Sequence, residues 1–304
     1  MRVTRNAAAT ASLALAGALC LAAAPAGAAQ ALAQAEAAWD RRADGHDGDG
    51  RAALEPISEA IALYEAAIAA DPDALEPRWK LLRALHFATE YTRVARDVER
   101  SWTERATAAA EDAEPLLERG DQRDRAALHF WSAIAWGAWA KRHGMLGALR
   151  EGVMNRVHDD AQATVALDPG LEEGGAHRLL ARMHATLPRV PLVSGWVDRE
   201  RALPEAERAL ALAPRSAGNR LVLALTLLDV APARHAEALA LLEEIAAAEP
   251  EEEPVVEQLA IRRIARERLA ELRTASVQGT NLDAAAREAC SPRVWLPCTD
   301  PSGS

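Results

Sequence analysis

From about residue 30 to residue 272 the apolar positions recur with the 3.6-residue period of amphipathic helices. Together with cap and stop signals, this period predicts helices over about 30–43, 55–70, 73–92, 95–111, 123–142, 148–167, 174–186, 198–212, 216–229, 234–248 and 253–272. Strand formers are scarce, with two Tyr, two Phe and no long run of Val, Ile or Thr, so a large sheet is not expected. Residues 44–50, Asp-Gly-His-Asp-Gly-Asp-Gly, read as a solvated flexible loop between the first two helices. The C-terminal 273–304 lack a helical period and read as an irregular tail. The expected fold is all-α.

A short phrase recurs at the helix ends: Ala- or Leu-rich residues, an acid or small residue, then Pro. It reads Ala67-Ile68-Ala69-Ala70-Asp71-Pro72, Val165-Ala166-Leu167-Asp168-Pro169, Ala209-Leu210-Ala211-Leu212-Ala213-Pro214 and Ala246-Ala247-Ala248-Glu249-Pro250. Glu111-Asp112-Ala113-Glu114-Pro115 is a weaker copy. Proline stops a helix and pushes the residue before it out of the helical region, so each phrase marks a turn into the next helix. Upstream of three of these prolines lie Ala60, Tyr64 and Ala67; Ala202, Ala206 and Ala209; and Ala238, Leu242 and Ile245. That spacing places each set on one helix face, where small side chains let helices approach closely.

This pattern resembles the tetratricopeptide repeat, with insertions, and implies a stack of helical hairpins over residues 30–272. Residues 125–245 resemble the TatT family more closely. The resemblance is carried by Phe130-Trp131-Ser132-Ala133-Ile134-Ala135-Trp136-Gly137-Ala138-Trp139, then Ala166-Leu167-Asp168-Pro169 leading into Gly174-Gly175-Ala176-His177-Arg178, then the Pro-rich break Leu187–Trp196. TatT proteins are the tetratricopeptide T-components associated with tripartite ATP-independent periplasmic (TRAP) transporters. The resemblance implies a periplasmic protein without catalytic activity, a solute-binding subunit as partner, and a pocket or pore for an apolar ligand.

The N-terminus gives an address. Arg2 and Arg5 precede an apolar run from Ala7 to Ala24, followed by Pro25-Ala26-Gly27-Ala28-Ala29. This order of charge, apolar run and small residues predicts a signal peptide over 1–29, cleaved after Ala28 or Ala29, and hence an exported, periplasmic or extracellular protein. The run is too Ala- and Gly-rich for a strong membrane anchor. Leu19 before Cys20 does not suit lipoprotein processing. No later segment approaches 18 uninterrupted apolar residues, so the mature chain is expected not to span a membrane. In an exported chain, Cys290 and Cys298 read as a disulfide, with free thiols as the alternative.

Composition narrows the function classes. The chain has 304 residues and a formal net charge of −10, and only 4% of it is aromatic. Net negative charge argues against a general nucleic-acid binder, because counterion release needs clustered cations. No phosphate loop, dinucleotide fingerprint, nucleophile elbow or His-Glu-x-x-His spacing is present, so neither cofactor nor metal is expected. The acids of residues 44–50 fail the calcium-loop pattern, because Gly45 and Pro56 fall where carboxylates are needed.

Four segments carry candidate binding chemistry. Phe130, Trp131, Trp136 and Trp139 surround one helix axis, which describes either a central packed helix or the wall of an apolar pocket. Gly174-Gly175-Ala176-His177-Arg178 opens a helix and reads as a tight turn with close helix contact, or as an anion site opposed by Glu172 and Glu173. The break places Leu192, Val193 and Trp196 in a loop, as a lid over the protein's own groove or as a partner contact. Arg262, Arg263, Arg266 and Arg268 suit a polar helix capping the array. The expected lining or rim of the binding site is therefore Trp131, Trp136, Trp139, His177, Arg178, Leu192, Val193 and Trp196. The expected function is a non-catalytic binding protein for an apolar ligand, a transporter subunit or both, and a homo-oligomer is compatible with the pattern. The alternative is an assembly scaffold of the cell envelope without a small ligand. An enzyme whose carboxylates meet only in space is the distant third.

Overall fold

The computed structural model describes residues 26–191, 193–249 and 254–277. It is all-α. Its helices are α1 (Ala26–Asp40), α2 (Leu54–Ala70), α3 (Glu76–Tyr91), α4 (Arg96–Ala113), α5 (Gln122–Arg150), α6 (Val153–Leu167), α7 (Leu171–Thr186), α8 (Arg199–Leu212), α9 (Ala217–Val230), α10 (His235–Ala247) and α11 (Val255–Val277). Short 3-10 turns cover Glu114–Arg119 and Pro232–Arg234. Among the described residues no helix is long and apolar enough to cross a membrane. The segment read as a signal peptide, apart from its last few residues, and the cysteine pair Cys290 and Cys298 lie outside the described residues. So does Leu192.

The recurrent phrase has a recurrent conformation. Asp71, Asp168 and Ala213, each before a proline, close their helices at φ/ψ of −138°/88°, −151°/92° and −140°/83°. Each also donates its N–H back to the carbonyl four residues earlier. The proline ring excludes the helical region for the residue before it, and the chain turns the same way each time. The weaker copy differs: Glu114 stays helical and the chain runs into a 3-10 turn.

Successive helices pair as antiparallel hairpins: α1 with α2, α3 with α4, α5 with α6, α7 with α8 and α9 with α10. The alanine-rich faces form the seams. Ala60, Tyr64, Ala67, Ala202, Ala206, Ala209, Ala238, Leu242 and Ile245 are all buried. Asp121 and Ser216 cap α5 and α9 by accepting the N–H three residues on. From α3 onward the first helix of each hairpin contacts that of the next, so α3, α5, α7 and α9 form an inner course.

The array then meets itself. α11 packs on α9 and α10 and also reaches α3. Val256 and Ala260 join the core of the N-terminal hairpins, whereas Ile264, Ala265, Leu269 and Leu272 join that of α9 and α10. Arg42 donates to Glu257 at 3.3 Å and Arg263 to the Asp49 carbonyl at 3.3 Å. This corrects two expectations. α11 closes the array rather than capping it, because apolar residues run along both of its sides. The loop at residues 44–50 is a joint rather than a free connection. Gly50 is buried at φ +77° with its Cα against the α11 backbone, and the Asp47 carboxylate accepts the N–H groups of Asp49 and Arg51, each at 3.0 Å. Helix α11 also extends to Val277, into the segment read as irregular tail.

Candidate functional site: an aromatic cleft between α4, α5 and α6

Helix α5 is longer than the period suggested. It continues to Arg150 across a break at Gly144, where φ is +78°, a conformation that glycine adopts without steric cost. The extension runs up to the start of α6, and a cleft of about 480 Å³ lies at this junction. Trp136, Trp139, His143, Val153 and Arg156 contribute to its walls, and Glu111 reaches it from α4. The two indoles lie 6.0 Å apart at 56°, and His143 stacks on Trp139 at 3.9 Å. The Arg156 guanidinium sits 4.7 Å over Trp136, held by Glu114 at 2.9 Å and Glu111 at 3.6 Å. The Trp136 Nε1 is buried and has no hydrogen-bond partner among the described residues.

A second cleft, of about 360 Å³, adjoins the first and shares Arg156. Asp160 is central to it. Its carboxylate accepts from His129 Nδ1 at 2.7 Å and from Ser132 Oγ at 2.8 Å. Serine, histidine and aspartate thus meet here, but not in the order of a nucleophilic triad. Acyl transfer needs the hydroxyl to donate to the imidazole. Here Asp160 lies between them and takes both hydrogens. Among the described residues, no three His, Cys, Asp or Glu side chains are grouped to hold a metal ion.

No protein-family model matches the chain, and no curated protein matches it. The chemistry therefore rests on the residues themselves.

The structure brings Trp136 and Trp139 together and places the other expected residues that it describes, all but Leu192, elsewhere. Trp131, only 8% exposed, faces the other way from α5, with its ring 5.6 Å from His86 of α3. His177 is buried and binds Glu205 of α8 at 2.6 Å. Burial would raise the Glu205 carboxyl, but the hydrogen bond from His177, helped by the charges of His177 and Arg201, holds it below the ordinary carboxylate value. Arg178 lies on the inner course and donates to Asn219 Oδ1 at 2.7 Å and to the Glu173 carbonyl at 3.2 Å.

These bonds hold an unusual turn. Glu172, Glu173 and Gly174 are all left-handed, with φ of 50°, 58° and 80°. Each non-glycine residue there costs about 1–2 kcal/mol. The turn lets Gly175 approach Phe130 so closely that a Cβ would lie 2.6 Å from the ring. Surrounding protein pushes the Glu172 carboxyl above its usual value, against the charges of Arg83 and Arg178.

The break from Leu187 to Val197 folds back on α6. Leu187 and Val197 are buried and Val193 is half-buried. Ser194 ties the loop, donating to the Pro188 carbonyl at 2.7 Å and accepting from Val190 N at 3.0 Å. Trp196 stacks on His158 at 4.0 Å and donates to Asn155 Oδ1 at 2.7 Å. The loop thus covers a face of α6 separate from the aromatic cleft. His143, Arg156 and Asp160 were not singled out from the sequence. They belong to the site through the α5–α6 hairpin, which places residues from two helices on one groove.

Proposed function

We propose that this chain is an exported, non-catalytic binding protein of the tetratricopeptide type. In this reading the Trp136–Trp139 cleft receives the apolar body of a small ligand. The observation that carries the reading is a cleft of about 480 Å³ walled by two neighbouring indoles, within the size range of small-molecule sites. Binding there needs shape and apolar burial, and no bond is made or broken. The TatT resemblance adds the partner: the solute-binding subunit of a TRAP-type transporter, to which ligand is passed or from which it is received. The N-terminal charge and apolar pattern supports a periplasmic address.

Native mass spectrometry of full-length protein from its own host tests the ligand. A bound small mass in the wild type, missing from Trp139→Ala, is expected. A clean apo mass in both proteins overturns the ligand reading. Crosslinking in that host tests the partner: capture of a solute-binding subunit is expected, and capture of envelope-assembly factors instead would favour a scaffold.

A further inference from the structure

The two clefts differ in chemistry along one groove. Ser132, which holds Asp160, and Trp136, which walls the aromatic cleft, are one helical turn apart on α5, about 6 Å along the axis. On α6, Val153 lines the aromatic cleft, Asp159 and Asp160 line the other, and Arg156 lines both. The groove therefore runs from an indole-walled end to a carboxylate-walled end. Five carboxylates and two guanidinium groups line it.

Asp160 is the most enclosed of the acids that lack a lysine or arginine partner. Its side chain is only 16% exposed, and its two partners are an imidazole and a hydroxyl. No lysine or arginine lies within ion-pair distance of it among the described residues. Desolvating a carboxylate without a full cationic partner is costly, so an incoming cation is favoured there. The groove already displays the chemistry it prefers. At the boundary of the two clefts, Arg156 places a guanidinium over the Trp136 ring, between Glu111 and Glu114. An aromatic face flanked by carboxylates is a recognition surface for organic cations.

We infer that the groove takes a small amphipathic cation, with its aromatic or aliphatic body on Trp136 and Trp139 and its ammonium or amidinium group at Asp160. This rests on the cleft being a ligand site and names the charge of the ligand. A volume of about 480 Å³ at one end and 360 Å³ at the other suits a small molecule rather than a folded partner. Arg156 is then a positioning residue: it keeps Glu111 and Glu114 gathered at the boundary and makes no ion pair with Asp160.

Three probes of one shape and different charge separate the claims: 4-phenylbutylamine, 4-phenylbutanol and 4-phenylbutanoate, titrated calorimetrically into the full-length chain. The expected order is amine at least tenfold tighter than alcohol, and alcohol tighter than carboxylate. Asp160→Asn should weaken the amine about tenfold and leave the alcohol unchanged, whereas Trp139→Ala should weaken both. Equal binding of amine and alcohol, each sensitive to Trp139→Ala, would overturn the charge assignment and spare the apolar cleft. If none of the three binds, both readings fall. The comparison of probes on the wild type needs no substitution, so the test survives a variant that does not fold.

Discussion

Closure of the array depends on one atom being absent. Gly50 lies at φ +77°, and a Cβ there would stand 2.6 Å from Ala260 N, 2.8 Å from Val256 O and 3.1 Å from Ala260 Cα. These are backbone atoms of α11 and cannot rotate aside. Gly50→Ala therefore adds two costs. The left-handed conformation contributes about 1–2 kcal/mol for a residue with a Cβ. Forcing a methyl into a packed joint contributes about 1–3 kcal/mol. A total of about 2–5 kcal/mol is expected, which in a chain of this size lowers the midpoint of thermal unfolding by about 4–20 °C. Gly48→Ala is the control. It sits in the same loop with nothing within 4 Å of its Cβ, and it should shift stability by less than about 0.5 kcal/mol. Circular dichroism melts of both variants check the magnitude, and hydrogen exchange of α11 amides checks the place. Identical melts for the two variants, with α11 protection unchanged in Gly50→Ala, would refute the closed joint.

Two further outcomes follow from buried polar groups. Asn219 is fully buried and reaches the Ala209, Glu173 and Ala213 carbonyls at 2.7, 3.0 and 3.2 Å while accepting from Arg178, so Asn219→Ala should cost about 2–4 kcal/mol, read from the urea midpoint. Burial, aided by the charges of Arg201 and His158, lowers His184 to about 4, and its Nδ1 accepts the Asp198 N–H at 3.1 Å. Its neutral form is thus favoured in the folded state, while the unfolded chain takes up a proton near pH 6.5. Stability should be intact above about pH 6.5 and fall as pH drops toward 4, and His184→Asn, which keeps an acceptor, should flatten that slope in melts taken between pH 7 and 4. An unchanged slope would count against it.

Much of the fold was legible because it rests on local rules. The acid–proline and alanine–proline phrases set three helix ends at nearly the same φ/ψ, and the small-residue stripes identified the buried seams. Local rules failed where distant segments meet. Nothing near Gly50 announces α11, more than 200 residues away, so the loop read as free. The arginines of α11 drew attention to its polar face, whereas Val256 and Ala260 on one side and Ile264 and Ala265 on the other decide its role. The site was half legible. Trp136 and Trp139 stood out by their chemistry, but Trp131 shares their helix and faces α3. Which indoles face the groove depends on which sides of α5 the neighbouring helices occupy. Asp160 was one acid among 45 Asp and Glu residues until the hairpin set it against His129 and Ser132.

The eight tryptophans supply the most direct test of the binding site. In a 1H–15N spectrum, titration of the intact protein with 4-phenylbutylamine should move the indole signals of Trp136 and Trp139 in step and leave those of Trp79, Trp131 and Trp196 in place, with the amine recovered chemically unchanged. Static Trp136 and Trp139 signals at saturating probe, or shifts that instead concentrate at Trp131 or Trp196, would contradict it.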